Sequence, residues 1–315
     1  MQCKIEYLLI VLITSVCIFP AFAFDISQVK VGASPWAVSV NSATNKIYVT
    51  NSGNDSVSVI DGNTNSVIDN IIVGGNPTGV AVNQATNFIY VSKFSVPTVS
   101  VIDGKTNTVT ATIPVKTQPN GIGINEITNQ IYVTNTGSAS VSVIDGKTNT
   151  VSATIPVSAR PTAVSINPST NIVYVTNSGN DSVSIINTKT DSVIKTIPVG
   201  SGPTGIAINQ DTNQIYVSSS KTAQVFVIDG NTNTISANVT VGPNPDGVSV
   251  DSKMDKVYVA NSGDGTISVI DSKTNTVSET IPAGTHVYGI AVNPSTGSIY
   301  TGNDNPGIVY IISDS

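Results

Sequence analysis

An all-β fold is predicted, a seven-bladed β-propeller with four antiparallel strands per blade, on three observations. The stretch Ile47-Tyr48-Val49-Thr50-Asn51 comes back with its tyrosine at Tyr90, Tyr132, Tyr174, Tyr216, Tyr258 and Tyr300, a spacing of 42 residues each time. A fixed period between about 20 and 50 residues belongs to solenoids, propellers and arrays. Each repeat also divides into four short runs rich in Val, Ile, Thr and Tyr, split by Gly, Pro, Asn, Asp, Ser and Thr clusters, with no helical period. Finally, the two ends complement each other. Residues 24–32 (FDISQVKVG) align with the fourth strand of a repeat, and the last repeat stops after its third, at 308–312. Together they complete one blade, so the N-terminal strand is expected to close the ring and remove the free ends of a linear array.

Residues 1–23 read as a secretory signal, with Lys4 as the charged start, an apolar core over 8–19 and Ala21-Phe22-Ala23 as the cleavage site. The core is too short for the roughly 20 residues that span a bilayer. Cys3 and Cys17 both fall within residues 1–23, so the mature chain, 24–315, is expected to hold no disulfide or thiolate. This mature chain is expected to be a single propeller domain.

In the second repeat strand A is predicted at 78–82, B at 88–92, C at 98–103 and D at 108–115. Pro35, Pro77, Pro119, Pro161, Pro203 and Pro245 open strand A, where a missing N–H costs little. The A-to-B turns (41–45 and equivalents) and the C-to-D turns (Asp61-Gly62-Asn63-Thr64-Asn65, Asp103-Gly104-Lys105-Thr106-Asn107) are nearly constant. Asp and Asn bond their own backbone in such turns. The recurring tyrosine reads as inter-blade packing.

A net charge of −6 with 11% charged residues describes a mildly acidic surface without basic runs. Phosphate backbones are bound by clustered Lys and Arg, so nucleic acid is excluded as a partner. No apolar stretch after residue 23 reaches membrane-spanning length. The expected product is an exported monomer, secreted or held at the cell surface.

The unit P-x-G-[VI]-[AS]-[VI]-N-x-x-T-N-x-[IV]-Y-V-[TS]-N, followed by V-S-V-I-D-G-x-T-N-T-V and T-I-P-V-G, resembles the YVTN β-propeller family over the whole mature chain. The resemblance implies a surface-layer-type or secreted protein. Related seven-bladed propellers include lactonases, lyases and adhesive or scaffolding modules, so it says little about activity.

With alternating strand direction, the variable D-to-A and B-to-C loops share one face and the constant turns the other. Loops on a rigid scaffold carry binding. Ahead of strand A the residues run Ser34, Asn76, Gln118, Arg160, Gly202, Asn244 and His286, and at its head Trp36, Thr78, Asn120, Thr162, Thr204, Asp246 and Tyr288. The resemblance makes strand A innermost, which puts these positions on the channel rim. Trp36, Asn120, Arg160, Asp246, His286 and Tyr288 are the candidate ligand-binding residues. Ring closure brings the sole Trp and the sole His together beside Asp246 and Tyr288, a pocket composition in which a His-Asp pair would suit acid-base work. Lys93-Phe94 and Lys221 are expected to form an outer contact surface.

Enzyme signatures are otherwise missing: the sequence has no H-E-x-x-H, G-x-S-x-G, phosphate loop or C-x-x-C-H. No catalytic residue, metal or cofactor is assigned. Asn54, Asn180 and Asn238 open N-x-S/T sequons suited to glycosylation after export. The expected function is a non-catalytic binding or scaffold propeller for a protein or glycan at the cell surface, the alternative being a small-molecule enzyme of lactonase or lyase type.

Overall fold

Twenty-eight strands form seven four-stranded antiparallel sheets in the computed structural model, which describes residues 24–304 and 307–314. The expected signal segment, 1–23, lies outside the described residues. Blade 1 contains strands A (Pro35–Asn41), B (Lys46–Asn51), C (Ser56–Asp61) and D (Ser66–Ile72). In blade 2 the strands are Pro77–Asn83, Phe88–Lys93, Thr98–Asp103 and Thr108–Pro114, within a residue of the expected bounds, with strand A beginning on its proline. Blade 7 combines Val287–Val292, Ile299–Asn303 and Ile308–Asp314 with the first strand of the chain, Phe24–Lys30. That strand pairs with the last in unbroken antiparallel register from Phe24 opposite Asp314 to Lys30 opposite Ile308. The ring is closed as the two ends predicted.

Asparagine is abundant because the turns demand it. Asn45, Asn65, Asn87, Asn107, Asn129 and Asn149 all hold φ between 51° and 57°, the left-handed region that Asn tolerates better than bulkier residues. The aspartates of the C-to-D turns bond their own backbone: Asp61 Oδ1 accepts from the Asn63 N–H at 2.8 Å and Asp103 Oδ1 from Lys105 at 2.7 Å. Four outer strands end on Pro114, Pro156, Pro198 and Pro282, which cannot donate to a neighbouring strand and so protect exposed sheet edges.

The hydrophobic core consists of seven clusters, each lying between two blades. Between blades 1 and 2, Tyr48, Val57, Val59 and Ile71 meet Val80, Val82, Ile89, Val91 and Ile102. The recurring tyrosine is therefore inter-blade packing: Tyr48, Tyr90, Tyr132, Tyr174 and Tyr216 are fully buried. Burial pushes the Tyr48 phenol up to about 12, assisted by Asp103 of the next blade, and the ring stays neutral at any physiological pH. At the closure, Val29 of the first strand joins Tyr300, Val309 and Ile311 against Val38, Ile47, Val49 and Ile60 of blade 1. Each such side chain contributes roughly 1.5–3 kcal/mol by leaving water.

A second connection runs between the A-to-B turns. Asn41 Nδ2 donates to Asn87 Oδ1, Asn83 to Asn129 and Asn293 to Asn45, each at 2.8 Å, and the last of these spans the closure. No helix among the described residues is long and apolar enough to cross a membrane.

Deleting residues 24–32 removes the fourth strand of blade 7 and its share of the closure cluster. We expect the melting temperature to fall by about 10 °C or more, given ~2–4 °C per kcal/mol for a domain of this size. An unchanged thermal transition in circular dichroism would show that the first strand is dispensable.

Candidate binding site at the channel mouth

Every strand A begins with an irregularity. In blade 1, Pro35 faces Asn51 but Val38 faces Val49, so Trp36 and Ala37 together oppose Thr50. The same one-residue shift recurs at the corresponding position of all the other blades. Such bulges bend a strand and re-aim a side chain. Here the head residue of each blade is delivered to the channel, and the small residue after it lets the blades converge. At Gly289 an added Cβ would lie 2.4 Å from the Trp36 carbonyl oxygen, so only glycine allows blade 7 to approach blade 1 this closely.

The bulge leaves an N–H to be satisfied, and the Thr or Ser of strand B satisfies it. Thr50 Oγ1 accepts from the Ala37 N–H and donates to the Thr78 carbonyl of blade 2, both at 2.9 Å. Ser92 makes the same pair with Gly79 and Asn120. Thr134 bridges Gly121 to Thr162, Thr176 bridges Ala163 to Thr204, and Ser218 bridges Gly205 to Asp246. Five inter-blade bridges therefore link blades 1 to 6. Blade 6 has Ala260 at this position, which carries no hydroxyl. In blade 7, Thr301 Oγ1 turns to the carbonyl of Gly289 in its own blade, at 3.0 Å.

Where the bridges stop, the aromatic residues gather. Trp36 and Tyr288 stack with ring centroids 4.8 Å apart and planes 20° from parallel, an arrangement worth about 0.5–1.5 kcal/mol beyond area burial. Trp36 remains 39% exposed. With Asp246 and Asn120 these rings line a cavity of about 340 Å³ at the centre of the ring, to which every blade contributes its head residue and the small one behind it. This lies at the small end of ligand pockets, about 300–1,000 Å³. Partial desolvation in the narrow channel pushes the half-buried Asp246 carboxyl up to about 6, with no cation beside it to oppose the shift. Among the described residues its carboxylate has neither a hydrogen bond nor an ion pair. The Tyr288 phenol is also raised, by burial first and then by Asp304 and Asp246.

Four of the six candidates, Trp36, Asn120, Asp246 and Tyr288, thus line one cavity. Arg160 and His286 do not. Both sit in the left-handed region, φ 53° and 57°, at the residue ahead of strand A, with exposed side chains outside the cavity lining. No hydrogen bond or ion pair joins His286 to Asp246, so the His-Asp pair is not formed: the tight αL turn separates the two positions in direction. Lys93 departs from expectation too. It occupies the Asn position of strand B, is 8% exposed, and points its Nζ at the Val73 carbonyl, 3.4 Å away, while Lys221 is exposed as expected. The small residues Gly79, Gly121, Gly205, Gly247 and Gly289, which also line the mouth, went unassigned by sequence reasoning although the recurring P-x-[GA] carried the signal.

A larger cavity, about 570 Å³, opens on the opposite face between aliphatic strand A residues such as Ile122 and Ile124. Its only carboxylate, Glu126, already accepts from the Gln84 N–H at 3.0 Å, and its rim consists of the constant turns. Polar groups awaiting a partner converge at the other mouth. Of the sequon asparagines, Asn54 and Asn180 accept backbone N–H bonds from Ala33 and Ala159 through Oδ1, and Asn238 is exposed on strand D of blade 5.

Residues 127–255 match the family described as YNCE-like beta-propeller. Among solved structures the chain is similar to Kuenenia stuttgartiensis hydrazine synthase, with a TM-score of 0.81, 19% identity, and 91% of this chain and 97% of that chain covered. It is likewise similar to a streptogramin B lyase, with a TM-score of 0.81, 15% identity, and 93% and 98% covered. At these identities the likeness is one of fold. No curated protein matches the sequence.

Two outcomes follow from the site's energetics. Since the folded state raises the Asp246 pKa above its unfolded value, ionisation costs stability as pH rises from about 4 through 6, and the cost persists above. Asp246→Asn should therefore stabilise the protein at pH 7 by on the order of 1–3 kcal/mol, with the gain fading toward pH 4; a destabilised variant in urea titration would contradict an unpartnered carboxylate. Ala260→Ser restores a hydroxyl between Gly247 and Tyr288. It should add about 0.5–1.5 kcal/mol, and a lower urea midpoint would mean that the bridge cannot form there.

Proposed function

We propose that the protein is an exported, non-catalytic binding module of the YVTN type, held at the cell surface, whose channel mouth takes a glycan. One observation carries this reading. In a ring built by near-identical repeats, three of the departures from the repeat at the head of strand A fall together at blades 6, 7 and 1, where Trp36, Tyr288 and Asp246 line one water-facing cavity. A flat aromatic edge beside a carboxylate and the Asn120 amide offers what a sugar needs, an apolar face for its C–H groups and polar partners for its hydroxyls. The acidic, polar surface and the expected signal segment fit export.

A small-molecule enzyme of lactonase or lyase type is the second reading, and the Asp246 carboxyl near 6 favours it, since a group poised near neutral pH can carry a proton. The absence of a His286 partner weighs against it.

Retention on immobilised cell-wall polysaccharide tests the module. Trp36→Ala and, across the mouth from the aromatic stack, Asn120→Ala should each weaken retention about tenfold, equivalent to ~1.4 kcal/mol, with the Asn120 variant controlling for any loosening of the closure. Unchanged retention in both would refute the reading. Turnover of a lactone by the native protein but not by Asp246→Asn would move it to the enzyme.

A further inference from the structure

A half-buried carboxylate that faces a cavity without a partner is an energetic liability that selection for folding alone would remove. Asp246 has this liability and the equivalent positions of the other blades do not, since they carry Trp36, Thr78, Asn120, Thr162, Thr204 and Tyr288. Nothing in the packing of strand A requires an acid. The role of Asp246 in the ring is filled by its backbone carbonyl, which accepts from Ser218 Oγ at 2.5 Å, and any residue supplies that. Its side chain is left free to face the cavity.

The surroundings of the carboxylate are one-sided. No Lys, Arg or His lines the cavity. Tyr288 from blade 7 is raised in part by Asp304 and by Asp246 itself; blade 5 contributes Thr204 and Gly205, and blade 1 contributes Trp36, while the basic residues Arg160 and His286 stand exposed ahead of strand A outside the lining. The lining therefore holds one carboxylate and no basic side chain, while the aromatic rings present faces that attract cations. A partly desolvated charge is stabilised by a partner that neutralises it, and since no described side chain does so, a ligand entering the mouth is the partner available.

Resting on the glycan reading, we infer that the sugar bound at the channel mouth carries a free ammonium group, an amino sugar whose nitrogen pairs with the Asp246 carboxylate beside the Trp36 and Tyr288 rings. Asn120, across the mouth, faces the remainder of the sugar. An N-acetylated sugar lacks the charge and leaves Asp246 unpaired.

Trp36 is the only tryptophan in the chain, so its emission reports directly on the site. The full mature protein is titrated with a glucosamine trisaccharide and with its fully N-acetylated counterpart at pH 7 and pH 5. The amino form should bind at least about tenfold tighter at pH 7. Its affinity should fall about tenfold at pH 5, where the ligand is fully charged but Asp246 is largely protonated. Asp246→Asn should abolish both the preference and the pH dependence. His286→Gln, which alters the exposed rim residue two positions from Tyr288, should retain both. Equal binding of the two sugars, or an amino preference that survives Asp246→Asn, overturns the ammonium inference and leaves the glycan reading standing. If neither sugar perturbs Trp36 or binds by calorimetry, while cell-wall retention persists, the ligand lies elsewhere and the amino-sugar assignment fails with it. Loss of retention as well removes the underlying reading.

Discussion

No blade of this protein has a hydrophobic core of its own. Each four-stranded sheet offers two apolar faces, and each face is buried only by the next sheet, so the seven clusters form one cyclic dependence in which Tyr48 and its equivalents are the largest buried side chains. A two-faced sheet left at either end would expose such a face to water, at a cost comparable to a whole core. Ring closure is therefore the constraint on which the remaining structure rests, and the first strand of the chain is committed to the last blade to meet it.

That dependence explains why so many residues repeat. The turn asparagines take the left-handed backbone and also accept a hydrogen bond from the preceding blade, as Asn45 does from Asn293 across the closure. The strand B hydroxyls satisfy the bulge N–H and reach a carbonyl one blade on, as from Thr50 to Thr78. A residue that serves both its own blade and its neighbour is constrained twice. Freedom to vary remains at the channel mouth, where head residues emerge from the bulge with few neighbours, and there the ring departs from its pattern. Ala260 interrupts the hydroxyl bridges, the Trp36 and Tyr288 rings join blade 7 to blade 1 instead, and Asp246 is left facing the cavity with its charge unpaired.

How far the sequence could be read follows the same division. Strand number, strand order and the closing role of residues 24–32 were legible because the 42-residue period and the alternation of apolar residues are local signals repeated many times over. The rim positions were legible as a set, because register carries over from blade to blade. Which of them share a cavity was not. Arg160 and His286 precede their strands by one residue in the left-handed conformation, which turns their side chains outward, while Asn120, Asp246 and Tyr288 follow by two positions and turn inward. Lys93 looked like a surface lysine among turn residues, yet it sits at the buried end of a strand where most blades place Asn.

The sequence by itself determined the architecture, because periodicity, turn chemistry and complementary ends are written in the order of residues and need no distances. It also marked Trp36, Asp246 and Tyr288 as departures from the repeat. Only the tertiary structure decided what those departures amount to. Side-chain direction at a β-bulge, the 4.8 Å stack of Trp36 on Tyr288 and the isolation of the Asp246 carboxylate depend on how blades 6 and 7 meet blade 1, at the far end of the sequence, on one axis, and no linear pattern encodes such a convergence.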